Sequence, residues 1–248
     1  MKLFANQQAT DFAVLNFDDP ALRSLAEDVQ SKAVSFALDS PAQAEIRDGF
    51  LRIGGEPVCA MDRIKLRGKH NLYNVLAAVA AVNCAEVSLE PAEKVLADFR
   101  GVANRLEEVA VVNGITFIND SQATIPQAVE VALEAMETPT VLIAGGRAKV
   151  SDFSSLAKAI AQRAKALVVI GEAGPAIATA ARAAGFSSIH ESATLPQAVQ
   201  TAFSLAEPGE IVLMSPACAS FDMFTNMAHR GEVFRRAVRD LEMEKSVK

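Results

Sequence analysis

Residues 109–136, VAVVNGITFINDSQATIPQAVEVALEAM, contain the pattern from which the fold is predicted. Two β-branched runs flank Asn113-Gly114, a dipeptide that favours a tight type I′ turn, so this segment begins as a β-hairpin. The second run leads into polar residues and then into a helix start, where Thr124 is placed to cap and Gln127 to complete a capping box. A strand that turns through polar residues into a helix either binds anions or merely connects two elements, and the pattern leaves both open.

Strand-like and helix-like segments alternate from this hairpin to the end of the chain. This alternation predicts a Rossmann-like, mostly parallel sheet with helices on both faces. The heptapeptide ATIPQAV (123–129) returns as ATLPQAV (193–199), which predicts that one capping arrangement is used twice. Strands are predicted at 140–144, 166–170, near 189 and at 210–214, and helices at 153–164, 175–184, 194–205 and the C-terminal segment.

A smaller α/β portion precedes the hairpin, with a predicted boundary at Gly101-Val102-Ala103. It contains strands at 12–16 and 32–36, a hairpin at 45–58 and an Ala-rich helix at 71–85, which is long and apolar enough to be buried. Asn71 and Asn74 fall on one face of that helix's first turn. Their two amides either read the edge of a purine base or represent a cap and an exposed side chain.

Composition limits the classes of function. Of the 248 residues half are hydrophobic, Trp is absent and the net charge is −6, which argues against nucleic acid or an anionic membrane as a partner. The three cysteines have no paired metal-site spacing and fit reduced thiols. No signal peptide and no apolar run of membrane-spanning length is present, so we expect a soluble cytoplasmic protein.

Three loops follow predicted strands, and we call residues 119–124 the first loop, 145–149 the second and 215–220 the third. Carboxyl ends of parallel strands share one edge of a sheet, so these loops are expected to form one cleft for a small polyanionic substrate. Lys149 alone fits a solvated lysine and a carboxylate ligand equally well. Ser220 is not expected to be a nucleophile, because no histidine is placed to activate it and G-x-S-x-G is absent.

Five segments together resemble the Mur ligase family, most of all its D-glutamate-adding branch. They span nearly the whole chain, and the last of them is the most specific. In order they are HNLYNVLAA (70–78), NRLE (104–107), INDSQAT (118–124), GGRAKVSDF (145–153) and SPACASFDMFTNMAHRG (215–231).

The resemblance implies an ATP-dependent amide ligase of cytoplasmic peptidoglycan precursor synthesis, which joins D-glutamate to UDP-N-acetylmuramoyl-L-alanine. ATP, with Mg²⁺, would convert the alanyl carboxylate to an acyl phosphate, and the amine of D-glutamate would displace phosphate to form the amide. Residues 1–102 would be the end of the family's central ATP-binding domain, and residues 103–248 its amino-acid-binding C-terminal domain.

Ligand roles also follow from the resemblance, position by position. For ATP, they fall to His70, Asn71, Asn74, Arg105 and Asp120, with the two asparagines at adenine and the last two residues at ribose and phosphate. For D-glutamate, they fall to Thr124 and Lys149 at the α-carboxylate and to Ser220, Phe221 and Met227 at the side-chain carboxylate.

Parts of the family pattern have no counterpart in these 248 residues: the phosphate loop G-T-N-G-K-[ST], the Mg²⁺-binding Glu and His, and the UDP-binding domain. No catalytic residue or metal ligand is therefore assigned, and the chain alone is expected to be inactive. The alternative is a non-catalytic module for D-glutamate or nucleotide, or half of a ligase whose N-terminal half is separately encoded. Gln122 stands where the family has Lys, and Asn104 where it has His.

Overall fold

The computed structural model describes residues 2–246, and for residues 244–246 it describes the backbone alone. The chain divides into two compact units, Met1–Arg100 and Gly101–Lys248. Among the described residues, no helix is both long enough and apolar enough to cross a bilayer.

The first unit contains a five-stranded mixed sheet in the order β1-β2-β3-β4-β5, with β1 to β3 parallel and β3 to β5 antiparallel. The hairpin predicted at 45–58 is confirmed, and its turns have positive φ at Asp48 and Gly49 and at Gly54 and Gly55. Its elements are β1 (Phe12–Asn16), α1 (Pro20–Leu25), β2 (Lys32–Phe36), β3 (Ala44–Arg47), β4 (Phe50–Ile53), β5 (Glu56–Ala60), α2 (Lys69–Cys84) and α3 (Ala92–Asp98).

Helix α2 differs from its prediction in two respects. It begins at Lys69 with Gly68 as the N-cap residue, so the alternative in which Asn71 caps the helix is wrong. It is also not buried on all sides: Val75, Leu76 and Val79 lie on the one face that packs on the sheet, next to Ala80. Alanine suits the remaining faces through helix propensity rather than through burial.

The second unit contains a six-stranded sheet in the order β10-β9-β8-β11-β7-β6. All neighbours are parallel except the β6–β7 hairpin, which confirms the mostly parallel sheet. Its elements are β6 (Glu107–Val112), β7 (Ile115–Asn119), α4 (Pro126–Glu134), β8 (Thr140–Gly145), α5 (Ser154–Arg163), β9 (Ala164–Ile170), α6 (Gly174–Ala183), β10 (Ile189–Glu191), α7 (Leu195–Leu205), β11 (Ile211–Ala217) and α8 (Met227–Ser246).

Two hydrophobic clusters cover the two faces of this sheet, as predicted. Helices α4, α5 and α6 contribute to one cluster, for example through Leu133 and Ile160. Helices α7 and α8 contribute to the other, for example through Val199 and Phe234. The sheet is thus buried on both sides, and only its edges and strand ends are left for ligands.

The hairpin that organises this unit has the predicted turn. Asn113 and Gly114 have φ of 53° and 76°, the positive values that a type I′ turn requires at both central positions. Strand β7 then runs parallel to its neighbour β11. The first loop, which follows β7, therefore lies at the carboxyl edge of the sheet.

The repeated heptapeptide is not used in the same way twice. The Thr194 hydroxyl accepts the Gln197 amide and caps α7, as predicted. In α4 the N-cap residue is Ile125, which offers no side-chain hydrogen bond, so the predicted Thr124 cap and capping box are wrong. The helix begins one residue later in this copy, and the Thr124 hydroxyl is turned towards Lys149 instead.

Strand β11 extends further than predicted. Its pairing with β7 ends at Met214. It continues to Ala217 because Ala217 still pairs with Gly145 of β8, across a register shift between Met214 and Ala217. The free part of the third loop therefore begins at Cys218.

Candidate functional site

The three loops follow adjacent parallel strands. Strand β11 lies between β8 and β7, and Met214 is paired with Ile143 on one side and with Asn119 on the other. The loops therefore leave the sheet at the same carboxyl edge. The prediction that they meet is confirmed.

Backbone hydrogen bonds join the second loop to the third. The Arg147 amide donates to the Ala219 carbonyl at 2.8 Å, and the Ala219 amide returns a bond to the Arg147 carbonyl at 2.9 Å. This close approach needs glycine at the start of the second loop. A Cβ on Gly145 would lie 1.9 Å from the Ile170 carbonyl oxygen, and one on Gly146 2.4 Å from the Ala219 carbonyl oxygen.

The first loop is organised around Asp120, which is only 6% exposed. Its Oδ2 accepts the Ser215 hydroxyl at 2.7 Å and its Oδ1 accepts the Leu106 amide at 3.2 Å, so the carboxylate ties the loop to β11 and to the start of the unit. Burial raises the pKa of this carboxyl to about 6, although both hydrogen bonds oppose the rise. A contact of Asp120 with ribose or phosphate stays a prediction.

Thr124 and Lys149 are the last residues of the first and second loops. The Lys149 ammonium donates to the Thr124 hydroxyl oxygen at 3.0 Å, which links the first loop to the second. In the described part of the chain Lys149 pairs with no carboxylate, whereas neighbouring Arg147 makes a two-pronged bond to Glu172 at 3.0 and 3.1 Å. An ammonium and a hydroxyl side by side form a donor pair suited to a carboxylate.

The remaining predicted residues of this edge lie in or after the third loop. Ser220 is 3% exposed, and its carbonyl accepts the Met223 and Phe224 amides in a tight turn. Phe221 and Met227, the first residue of α8, are 63% and 42% exposed. The edge thus combines a buried hydroxyl with two accessible apolar side chains.

Cys218 is a packed residue rather than a reactive thiol. Its side chain is fully buried, and burial raises the pKa of the thiol to about 11 even though the charges of Arg230 and Lys149 act in the opposite direction. Burial and the raised pKa both disfavour the thiolate, which is the nucleophilic form.

The two positions that depart from the family pattern are in contact. The main-chain amide of Gln122 donates to the main-chain carbonyl of Asn104 at 3.0 Å. The Asn104 side-chain oxygen accepts bonds from the side-chain amide of Asn119 and from the Arg235 guanidinium, at 3.0 and 3.2 Å. Asn104 has φ of 66°, a value that asparagine tolerates better than most residues. Residue 104 is therefore part of the support for the first loop.

In the first unit, the predicted adenine residues lie in the first turn of α2. The side-chain amide of Asn74 donates to the side-chain oxygen of Asn71 at 3.3 Å. The side-chain amide of Asn71 donates to the main-chain carbonyl of Arg67 at 2.8 Å. His70 is partly buried beside them. Their expected common face is confirmed, and their role towards adenine stays a prediction. Arg105 is an exposed residue of the second unit.

The burial of Arg230 is not predicted from the sequence, where this residue is only part of the 215–231 motif. This arginine is fully buried, and it donates to the carbonyls of Ser121 and Cys218. The signal was present in the helical spacing of α8. Arg230 stands on the same stripe as the buried Phe234 and Val238, so its burial could have been predicted.

A divalent-metal site is not formed by the residues described. Between residues 2 and 243, no three His, Cys, Asp or Glu side chains are grouped so as to hold a metal ion.

Comparison with known proteins gives the family. The model of the Mur ligase middle domain matches residues 1–82, and that of the Mur ligase glutamate ligase domain matches residues 104–218. The chain belongs to the Mur ligase family.

Curated relatives share the name UDP-N-acetylmuramoylalanine--D-glutamate ligase. The protein of Pelotomaculum thermopropionicum is 44% identical over 251 residues, which cover 97% of this chain and 54% of the relative. That of Geobacillus kaustophilus is 40% identical over 243 residues, with 97% and 54% coverage. The chain therefore spans about half the length of the curated relatives that it matches.

Two solved structures of ligases with little sequence identity to this chain have the same fold. The structure of MurF ligase from Thermotoga maritima in complex with ADP is 15% identical with a TM-score of 0.68, over 98% of this chain and 57% of that one. Folylpolyglutamate synthase of Mycobacterium tuberculosis, complexed with ADP and AMPPCP, is 16% identical with a TM-score of 0.60, over 89% and 51%. The α/β fold is confirmed by these likenesses.

Proposed function

We propose that the chain is the portion of an ATP-dependent ligase that binds D-glutamate for addition to UDP-N-acetylmuramoyl-L-alanine. The observation that carries this proposal is the Thr124–Lys149 pair, in which an unneutralised ammonium and a hydroxyl lie 3.0 Å apart at the carboxyl edge of the sheet. The curated relatives, at 40–44% identity, carry the name of this ligase.

Thr124 and Lys149 bind the α-carboxylate of D-glutamate in this proposal. Two donors from two loops fix the orientation of the carboxylate, and with it the direction of the attacking amine. Ser220, with the Phe221 and Met227 segment, receives the side-chain carboxylate. Because the two carboxylates are held by different loops, the site selects an acidic amino acid rather than a monocarboxylate.

The ATP side of the proposal rests on fewer observations. Asn71 and Asn74 present neighbouring amides suited to the donor and acceptor edge of adenine, next to His70. Arg105 and Asp120 are proposed at ribose and phosphate. Residues 1–102 would be the end of the central domain and 103–248 the C-terminal domain. No step is assigned to Mg²⁺, since the described residues provide no set of ligands for it.

Titration calorimetry with D-glutamate tests the proposal. Lys149→Ala should raise the Kd at least about tenfold, the effect of losing one charged hydrogen bond. Lys158→Ala is the matched control, because Lys158 is an exposed lysine in α5 of the same unit. Equal affinity of wild type and Lys149→Ala would refute the carboxylate role, and absence of binding in all three proteins would refute the site.

A non-catalytic binding module, or half of a split ligase, is the second candidate. It is favoured by one observation: Thr124, Lys149 and Ser220 all belong to the second unit, so the side chains proposed to hold D-glutamate all come from one unit. D-glutamate binding by the 248-residue protein separates this candidate from an inert fragment, which would bind nothing.

A further inference from the structure

The guanidinium of Arg230 bonds to the first and third loops of the sheet edge and lies beside the second. Nη1 donates to the Cys218 carbonyl at 3.0 Å and Nη2 to the Ser121 carbonyl at 2.9 Å. Nη1 also lies beside Gly146, since a Cβ built there would be 3.3 Å from it. The side chain is 0% exposed and is among the largest that are fully buried in the described structure.

The charge on Arg230 has no counter-ion at contact distance among residues 2–243, whose side chains the structure describes. Asp222 acts on it only from further away, and Nε is buried without a hydrogen-bond partner. Burial lowers the pKa of the guanidinium to about 10, so it stays protonated at neutral pH. Burying an unpaired charge is unfavourable, and packing alone therefore does not account for an arginine at this position.

Other arginines of α8 are used differently. Arg239 pairs with Glu232 at 3.1 Å on the surface, and Arg235 pairs with Glu107 and Glu232 at 2.9 and 3.1 Å. Both arginines are thus neutralised by carboxylates, Arg239 at the surface and Arg235 in a partly buried contact with β6. Arg230 bonds only to main-chain carbonyls, which is the geometry of a clamp between loops.

We propose that Arg230 is the positioning residue of the dicarboxylate site, an inference that rests on the proposed function. Its guanidinium holds the carbonyl three residues before Thr124 and the carbonyl two residues before Ser220. The loops carrying the two carboxylate-binding groups are thereby kept at one separation. That separation sets the length of the acidic amino acid that fits, so Arg230 governs selectivity without touching the ligand.

The test uses the 248-residue protein and the variants Arg230→Lys and Arg239→Lys. Lysine keeps the charge but lacks the planar fork that bonds two carbonyls at once. Arg230→Lys should weaken D-glutamate binding about tenfold. It should also lower the preference for D-glutamate over D-aspartate, which is one methylene shorter, and speed amide hydrogen exchange in both residues 119–124 and 215–220. Arg239→Lys, on the same helix but exposed, should change none of these quantities.

Each outcome decides the proposal. Unchanged affinity, selectivity and exchange in Arg230→Lys would overturn it, and so would weaker binding with an unchanged D-glutamate to D-aspartate ratio, which indicates a merely structural role. If the wild type binds no D-glutamate, the proposed function fails, and exchange in the two loops still decides whether Arg230 clamps them. Should Arg230→Lys not fold, Arg230→Gln, which keeps donors without charge, is measured in the same way.

Discussion

At the scale of single residues, the two threonines of the repeated heptapeptide show how position in a helix decides the use of a side chain. Thr194 and Ile125 occupy equivalent N-cap positions, with φ/ψ of −135°/157° and −140°/152°. The second copy therefore places its threonine at the cap, and the first copy places an isoleucine there. The hydroxyl of Thr124 is left available to Lys149 and to a ligand.

Substitution of the two threonines should separate their roles. Thr194→Ala should lower the free energy of unfolding by about 1 kcal/mol, because a cap is lost. Thr124→Ala should lower it by less than about 0.5 kcal/mol, because no cap is lost. Urea denaturation of both variants measures the difference, and equal losses would contradict the structure.

Asp120 predicts a dependence of stability on pH. Its pKa is raised to about 6 in the folded protein, so the folded state binds this proton more tightly than the unfolded state. Its contribution to stability is thus fully present below about pH 4 and is lost as the pH rises through 6. Relative to Asp120→Asn, which does not ionise, the wild type should lose roughly 2–3 kcal/mol between pH 3.5 and 7.

The measurement is the free energy of unfolding of both proteins across that pH range. Other ionisable groups are common to both and cancel in the difference. A difference that is constant with pH would show that the Asp120 pKa is not raised.

At the scale of elements, helix α8 packs very close to the first loop. Gly231 permits this approach, since a Cβ there would lie 1.9 Å from the Asn104 side-chain oxygen and 2.7 Å from the Ser121 hydroxyl. Arg230, one residue earlier, bonds to the Ser121 carbonyl. Two adjacent residues of α8 thus support the first loop. Gly231 has no side chain and lets the helix approach, and the long side chain of Arg230 bonds to the loop.

Two helical glycines provide a matched pair for this idea. Gly231→Ala should lower the free energy of unfolding by about 1–3 kcal/mol, because the methyl group overpacks the contact with Asn104 and Ser121. Gly174→Ala in α6 should raise it by about 0.5–1 kcal/mol, because a Cβ there meets only Val169 at an ordinary 3.4 Å. Thermal and urea unfolding measure both, and a similar sign for the two variants would contradict the packing described.

At the scale of the whole molecule, the chain carries part of the machinery that its family uses. It spans about 54% of the length of its curated relatives. The residues proposed for D-glutamate lie in the second unit, and the described residues hold no grouped metal ligands. The D-glutamate proposal can therefore be tested apart from any phosphoryl chemistry.

The 248-residue protein should bind D-glutamate and yet not ligate it. With ATP, Mg²⁺, D-glutamate and UDP-N-acetylmuramoyl-L-alanine, it should release no phosphate, because its sequence contains no G-T-N-G-K-[ST] phosphate loop. Phosphate release assays and D-glutamate consumption measure this outcome. ATP-dependent consumption of D-glutamate by the purified protein would contradict it.

Sequence alone determined the order and type of the main elements, the I′ hairpin at Asn113-Gly114 and the meeting of three loops at one edge. These features follow from local rules: turn dipeptides, hydrophobic period and the common direction of parallel strands. Family membership also followed from short motifs that local sequence preserves. The Thr124–Lys149 contact and the clamp of Arg230 were decided by tertiary structure, because each joins residues from separate elements whose spacing no local pattern contains. The Thr124 cap failed for the same reason: two copies of nearly one heptapeptide have equal local propensity, and only the surrounding packing fixes where each helix begins.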